Sequence, residues 1–142
     1  MKKILYILIT SFLIFISCIF APGSYPYAEI YEFDVSEEIL INAAENFKKE
    51  NPEYNLFNQE RFKDGKRNKK DHWYHIWFYY SQENKIVKCW IRNNEVAFVG
   101  LGDGMNLDNY KEVNKDFTRK ENKAQKDKFE KLILNKIKEY LQ

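Results

Sequence analysis

Three runs of aromatic and β-branched residues between positions 72 and 101 constrain the fold of this chain most. They read HWYHIWFYY, KIVKCWIR and EVAFVGL, and they are separated by a polar SQEN segment and by Asn93-Asn94. Aromatic and β-branched residues favour strands, and asparagine tolerates positive φ, so the pattern predicts three consecutive antiparallel strands with a two-residue hairpin at the asparagine pair. That turn places Ile91 opposite Val96.

Successive side chains of these strands point to opposite faces of the predicted sheet. The face expected to lie against the core carries Tyr74, Ile76, Phe78, Tyr80, Val87, Cys89 and Ile91. The other face, called here the aromatic face, carries Trp73, His75, Trp77, Tyr79, Lys88, Trp90 and Arg92. Rings and guanidinium groups give large contact areas, so the aromatic face is the candidate binding surface for a sugar, an anionic polymer or a protein. In the alternative interpretation, residues 25–33 or the loop after Gly102 cover the rings as a second small core.

Two helices are predicted, one on each side of these strands in the sequence. The first covers about residues 37–50, with Ser36 as its N-cap and Asn51-Pro52 as its end. The second begins at the capping-box sequence Thr118-Arg119-Lys120-Glu121 and continues to about residue 141. Since consecutive hairpins favour antiparallel pairing, we predict an α+β fold: a meander sheet of three to four strands with both helices packed on one face.

The remaining segments give weaker signals. Residues 28–35 predict a short strand or an extended arm, and residues 53–62 predict a strand leading to a hairpin turn at Asp64-Gly65. The basic run at residues 66–71 is either a solvated loop or an anion site. Residues 102–117 are predicted to form a long loop.

The first eighteen residues have the layout of an export signal. Lys2 and Lys3 precede an apolar run at residues 4–16, which is the order found in secretory signal peptides. Because positive flanks stay in the cytoplasm, the rest of the chain is expected outside it. Without cleavage, the apolar residues 4–21 are just long enough to span a bilayer as a helix.

The end of this run, Phe15-Ile16-Ser17-Cys18, resembles the lipobox of bacterial lipoproteins, with Phe15 in place of the usual aliphatic residue. The resemblance covers only residues 1–18. It implies that the Cys18 thiol is diacylglycerated, that the chain is cut before it, and that acyl chains anchor the protein in the membrane. The protein would then be held at the cell envelope, on the extracytoplasmic side of a bacterial membrane.

The chain therefore divides into a signal peptide at residues 1–17, a lipidated cysteine and tether at residues 18–27, and a single domain at residues 28–142. Its 23 basic residues exceed its 21 acidic residues by two, the number supplied by Lys2 and Lys3. The domain itself has no basic excess, so we expect no nucleic-acid partner.

No catalytic or metal-binding pattern is evident in the sequence. Cys89 is predicted on the core face and His75 on the aromatic face, so the two cannot form a nucleophile and its base. His72 and His75 are three residues apart on a strand, which sends them to opposite faces and prevents them from sharing a metal ion. We therefore expect no enzymatic activity, no metal and no cofactor.

Two functions are compatible with these observations. The first is a lipid-anchored, non-catalytic binding domain whose aromatic face recognises an envelope glycan or a protein ligand. The second is an inhibitor or immunity protein that neutralises a secreted toxin or hydrolase, with residues 63–71 or 102–116 entering the target. The first function predicts exposed tryptophans.

Overall fold

The computed structural model of the chain describes residues 25–56 and 59–141. The signal peptide, the lipobox with Cys18, and most of the tether lie outside the described residues. Within these ranges, no helix combines the length and the apolar character that crossing a membrane requires.

In the described parts of the chain, five antiparallel strands form one sheet. They are β1 (Glu29–Glu32), β2 (Tyr74–Tyr80), β3 (Lys85–Arg92), β4 (Glu95–Asp103) and β5 (Asp108–Glu112). Strands β2 to β5 form a meander, while β1 pairs with the first half of β4 and β5 with its second half. The predicted α+β class is confirmed, and the sheet has one strand more than the largest number expected.

The β3–β4 hairpin has the predicted register. Ile91 lies opposite Val96 and Cys89 opposite Phe98, and Asn93 in the turn has a φ of 54°. Asparagine adopts this left-handed conformation more readily than most residues. The β2–β3 pairing also keeps the predicted core-facing side chains on one side, where they form the main hydrophobic core.

The helices pack on that core side. They are α1 (Glu37–Glu50), α2 (Arg119–Phe129) and α3 (Asn135–Glu139), with a π-helical turn at Glu130–Leu134 between the last two. Ser36 Oγ accepts a hydrogen bond from the Ile39 N–H at 3.4 Å. Thr118 and Glu121 form the predicted capping box. The helix residues buried against the sheet are Leu40, Ala43, Ala44 and Phe47 of α1, and Phe129, Ile133 and Ile137 of the C-terminal helices. Ile39, which the helical periodicity places next to Leu40 on the apolar side, is instead 49% exposed.

Two segments differ from the prediction. In the part that the structure describes, residues 53–62 form no strand, and the chain instead makes 3₁₀ turns at Pro52–Tyr54 and Glu60–Phe62. The predicted loop at residues 102–117 contains β5. Every residue of this strand is exposed or half-buried, so its sequence lacks the apolar alternation that indicates a strand.

Asp64 and Gly65, predicted as a hairpin turn, instead close the outer edge of β2 together with Lys48. Gly65 exchanges two backbone hydrogen bonds with His75, at 2.9 and 3.0 Å. The Trp77 N–H donates to Asp64 Oδ1 at 2.9 Å, and Lys48 Nζ donates to the Trp77 carbonyl at 2.7 Å. Lys48 and Asp64 also form an ion pair. The Gly65 backbone and the Lys48 and Asp64 side chains thus take the place of a neighbouring strand at an edge that would otherwise be open to pairing.

Candidate ligand-binding surface

One end of the aromatic face is covered by the segment before β1. Trp90 is 6% exposed and packs with Ala97 and Val99 beneath this segment. The ring of Tyr25 lies 6.2 Å from the ring of Trp90 and meets Trp73 edge-on at 5.4 Å. The start of the described chain is therefore part of the domain rather than a free tether.

The other end of the aromatic face is covered by the segment before β2. Trp77 is 7% exposed, and the ring of Phe62 lies edge-on to it at 5.1 Å. Leu56 and Leu107 complete this small cluster. The expected exposure of tryptophans is therefore wrong for Trp77 and Trp90, and the alternative of a second small core is correct. The cover comes partly from Leu56 and Phe62, in a segment for which the sequence predicted a strand and no contact with the aromatic face.

Three other members of the aromatic face are half-buried and have contacts within the domain. Arg92 Cζ lies 5.7 Å from the centre of the Trp73 ring. The Tyr79 hydroxyl donates to Asn84 Oδ1 at 2.9 Å. These three side chains therefore lie along the margin of the covered face.

His75 is buried beside a carboxylate. It is 3% exposed, and its Nε2 lies 3.0 Å from Asp71 Oδ2. Burial lowers the pKa of His75, and the charge of Arg67 lowers it further, against the opposing effect of Asp71. Burial also acts to raise the pKa of Asp71, but hydrogen bonds from the Trp73 and Arg67 N–H groups and from His75 outweigh it, so that pKa is lowered.

The lowered pKa of His75 predicts a loss of stability on acidification. The unfolded chain binds a proton at His75 near the ordinary value of 6.5, whereas the folded chain binds it only at lower pH. The urea midpoint should therefore be lower at pH 5.5 than at pH 7.5. The variant His75→Gln should lose most of this difference, while His72→Gln, at an exposed position, should keep it. Equal midpoints for the unmodified chain at both pH values would contradict the prediction.

Lys88 is the most unusual charged group of the aromatic face. Its Nζ lies 4.9 Å from the centre of the Tyr25 ring and 5.9 Å from that of Trp77. Across residues 25–56 and 59–141 it has no ion-pair partner. Burial and the charge of Arg67 both lower its pKa, and Glu112 opposes them. A half-buried cation held between two rings is therefore available to an anion.

Gly100 shapes the surface beside Lys88. The two residues are paired across β3 and β4, and a Cβ on Gly100 would lie 2.7 Å from the Tyr110 hydroxyl and 2.4 Å from the Lys111 carbonyl oxygen. Only glycine lets β5 lie this close, with the Tyr110 side chain over β4. A glycine inside a predicted strand often marks a close approach of another part of the chain. Gly100 could therefore have indicated from the sequence that a segment packs closely over β4.

A cleft of about 310 Å³ lies over these residues. It is lined by Arg61, Trp77, Lys88, Asn106, Leu107 and Tyr110. Arg61 comes from the 3₁₀ turn before β2 and Asn106 from the β4–β5 loop, and Arg61 Nη1 donates to the Asn106 carbonyl at 3.4 Å. Sequence analysis placed Trp77 and Lys88 in the candidate site, but it missed the four residues that these two loops and β5 contribute.

A second cavity of about 380 Å³ adjoins the first at Arg61 and Trp77 and reaches His75. Its basic lining residues are Arg61, Lys63, Lys66 and Arg67. Lys66 pairs with Glu37 at 3.1 Å. Of its two acidic lining residues, Asp64 is paired with Lys48, which leaves Glu60. The surface around the two cavities is therefore locally positive, although the domain is balanced in charge.

Among the described residues, no group of three or more His, Cys, Asp or Glu side chains is placed to hold a metal ion. Cys89 is fully buried in the main core, and burial raises the pKa of its thiol well above the usual value. Its position on the opposite face from His75 agrees with the predicted geometry.

Comparison of the chain with models of known protein families, with curated proteins and with solved structures gave no match.

Proposed function

We propose that this chain is a lipid-anchored binding domain on the extracytoplasmic side of a bacterial membrane, that it has no catalytic role, and that its ligand is an anionic polymer of the cell envelope. The observation that carries this proposal is the set of cations around the two adjoining cavities. Four of them line the cavities: Arg61, Lys63, Arg67 and Lys88. Lys69 and Lys70 follow Arg67 in the same exposed loop. Among the described residues, none of these six cations has an ion-pair partner.

Of the nearby carboxylates, Asp64 and Asp71 are engaged elsewhere, and Glu60 is the one acidic residue lining the two cavities that remains to offset these cations. Asp64 binds Lys48 and the Trp77 N–H. Asp71 accepts hydrogen bonds from two backbone N–H groups and lies beside His75. A surface that concentrates one sign of charge attracts ligands of the opposite sign and raises their rate of association.

The basic loop before β2 is held in a defined conformation. Asp71 Oδ2 accepts the Arg67 N–H at 3.1 Å, and Asn68 Oδ1 accepts the Lys70 N–H at 2.9 Å. Residues 66–70 are all exposed. A loop ordered in advance loses less conformational entropy on binding, which strengthens the binding of a ligand that contacts it.

The proposal is tested with the full chain extracted from bacterial membranes in detergent. Its intact mass should correspond to an acylated chain that begins at Cys18. It should bind dextran sulfate at least about tenfold more tightly than neutral dextran, and the affinity should fall as salt rises, because salt screens the charges. The triple variant Arg67→Gln/Lys69→Gln/Lys70→Gln should bind dextran sulfate at least about tenfold more weakly.

A matched control removes three exposed lysines from the helices: Lys49→Gln/Lys120→Gln/Lys131→Gln. It makes the same change in net charge on the other side of the sheet and should leave the affinity within about twofold. Equal weakening by both triple variants would reduce the effect to net charge and overturn the proposed surface. Equal binding of both dextrans would overturn the anionic ligand, and an unprocessed chain beginning at Met1 would overturn the lipid anchor.

The basic loop before β2 is also the observation that supports the second hypothesis, in which the chain is an inhibitor of a hydrolase. A stiff basic loop suits the active-site cleft of a glycoside hydrolase, where two carboxylates flank the scissile bond. In that case the chain would bind neither dextran but would slow a hydrolase such as lysozyme, and the triple variant of the loop would lose this inhibition.

A further inference from the structure

We propose that the cleft between Arg61, Lys88 and Asn106 binds one acidic sugar unit: a monosaccharide ring that carries a carboxylate, phosphate or sulfate group. This inference rests on the proposed function, because the unit would belong to the anionic polymer held by the basic surface. It adds a pocket for one specific unit of the ligand to a surface that would otherwise attract anions only by its positive charge.

The polar lining of this cleft is suited to an acceptor. Lys88 and Arg61 are cations that only donate hydrogen bonds, and the Asn106 side chain supplies an amide. Four other cavities along the described residues are each lined by at least one carboxylate. By contrast, no carboxylate is among the residues that line this cleft. An oxyanion is therefore the group that the lining complements best.

Lys88 supplies the deep end of the subsite. The rings of Tyr25 and Trp77 flank its ammonium group, which fixes its position without neutralising its charge. Because the ammonium group is half-buried, it has already lost part of its hydration in the folded protein. Contact with an oxyanion therefore adds a charge-assisted hydrogen bond and removes little further water from the ammonium group.

The other side of the cleft is apolar and suits a sugar ring. Trp77, Leu107 and Tyr110 line it, and such surfaces can cover the C–H groups of a pyranose. A volume of about 310 Å³ lies at the lower end of the range for small-molecule sites, which matches one ring better than an extended chain. The remaining sugar units would continue over Arg61 into the adjoining basic cavity.

At the rim of the cleft, a hydrogen bond connects the two loops, and a ligand can replace it. The hydrogen bond from Arg61 Nη1 to the Asn106 carbonyl is 3.4 Å long and exposed. Exchanging such a bond for a charge-assisted contact to an oxyanion favours binding. Arg61 is also shared with the second cavity, so it can contact two successive units of a polymer.

The test is calorimetric titration of the full, detergent-solubilised chain with glucuronate, glucose 6-phosphate and glucose 6-sulfate. Glucose, glycerol phosphate and inorganic phosphate serve as comparison ligands. At least one acidic sugar should bind tenfold or more tightly than glucose and than the two phosphates that lack a ring. Lys88→Met and Arg61→Gln should each weaken that binding at least tenfold. Lys49→Met, at an exposed lysine of α1 that lines neither cavity, should leave it within twofold.

The outcomes separate this inference from the proposed function. If dextran sulfate still binds but no acidic sugar does, the subsite is overturned and the proposed function stands. If neither binds, both fail. If glycerol phosphate or inorganic phosphate binds as tightly as the acidic sugars, the site recognises phosphate, as in a lipid headgroup, and the assignment to a sugar is overturned. Arg61 is exposed, so its variant tests the cleft even if Lys88→Met fails to fold.

Discussion

Replacing Lys48 by methionine should lower the free energy of unfolding by about 2–3 kcal/mol, because it removes one partner of an ion pair that is buried at Lys48 and half-buried at Asp64. The substitution keeps the length and apolar stem of the side chain but removes the ammonium group. Asp64 would then keep a half-buried carboxylate whose remaining partner is the Trp77 N–H, with no compensating charge. The Trp77 carbonyl at the edge of β2 would also lose its donor. Urea denaturation followed by far-UV circular dichroism measures the loss.

The control for this prediction is Lys49→Met, the neighbouring and exposed lysine of α1. It should change the free energy of unfolding by no more than about 0.5 kcal/mol. The double variant Lys48→Met/Asp64→Asn should be more stable than the sum of the single variants implies, because it removes both charges together. A Lys48→Met protein within about 1 kcal/mol of the unmodified chain would show that the ion pair contributes little to closing the edge.

Replacing Phe129 by alanine should cost about 3–5 kcal/mol, the range for a fully buried phenylalanine. Its ring stacks on Phe98 with the centroids 4.6 Å apart, and Tyr31 lies 5.7 Å away on another side. Phe129 is the last residue of α2, where the π-helical turn begins. Removing its ring would therefore leave a cavity between the sheet and the point where the C-terminal helices change their winding.

Thermal and urea unfolding of two further variants makes this prediction measurable. Phe129→Leu keeps most of the apolar volume and should lose less than the alanine variant, so it reports on the site even if Phe129→Ala does not fold. Phe117→Ala, at a half-buried ring, should cost no more than about 1.5 kcal/mol. If the alanine variants at positions 117 and 129 lost the same free energy of unfolding, the stacking of Phe129 on Phe98 would contribute no more to stability than a half-buried ring does.

The elements predicted from the sequence are those with local signals. Ser36 and Thr118 mark helix starts through hydrogen bonds within one turn, and Asn93-Asn94 marks a hairpin through its backbone preference. The residues of the aromatic face also follow directly from the period of two in β2 and β3. These features depend on few neighbours, and therefore the pattern of residues suffices.

The features that the sequence did not predict depend on contacts between distant segments. Lys48 lies four residues after Ala44 in the buried stripe of α1, but a lysine there is ordinarily taken as solvated, and its partner Asp64 is sixteen residues away. The cover of Trp77 comes from Leu56 and Phe62 in the segment before β2 and from Leu107 in the β4–β5 loop, which are distant from one another in the sequence. The cleft likewise needs two loops whose approach no local pattern specifies.

The position of Tyr25 links the candidate site to the segment before β1. Its ring lies 4.9 Å from the ammonium group of Lys88, the lysine that forms the deep end of the cleft, and it also packs against Trp73 and Trp90. Detaching this segment from the sheet would therefore change the surroundings of Lys88 as well. By thermodynamic linkage, a ligand that binds the cleft only while Tyr25 is packed would make the segment harder to detach.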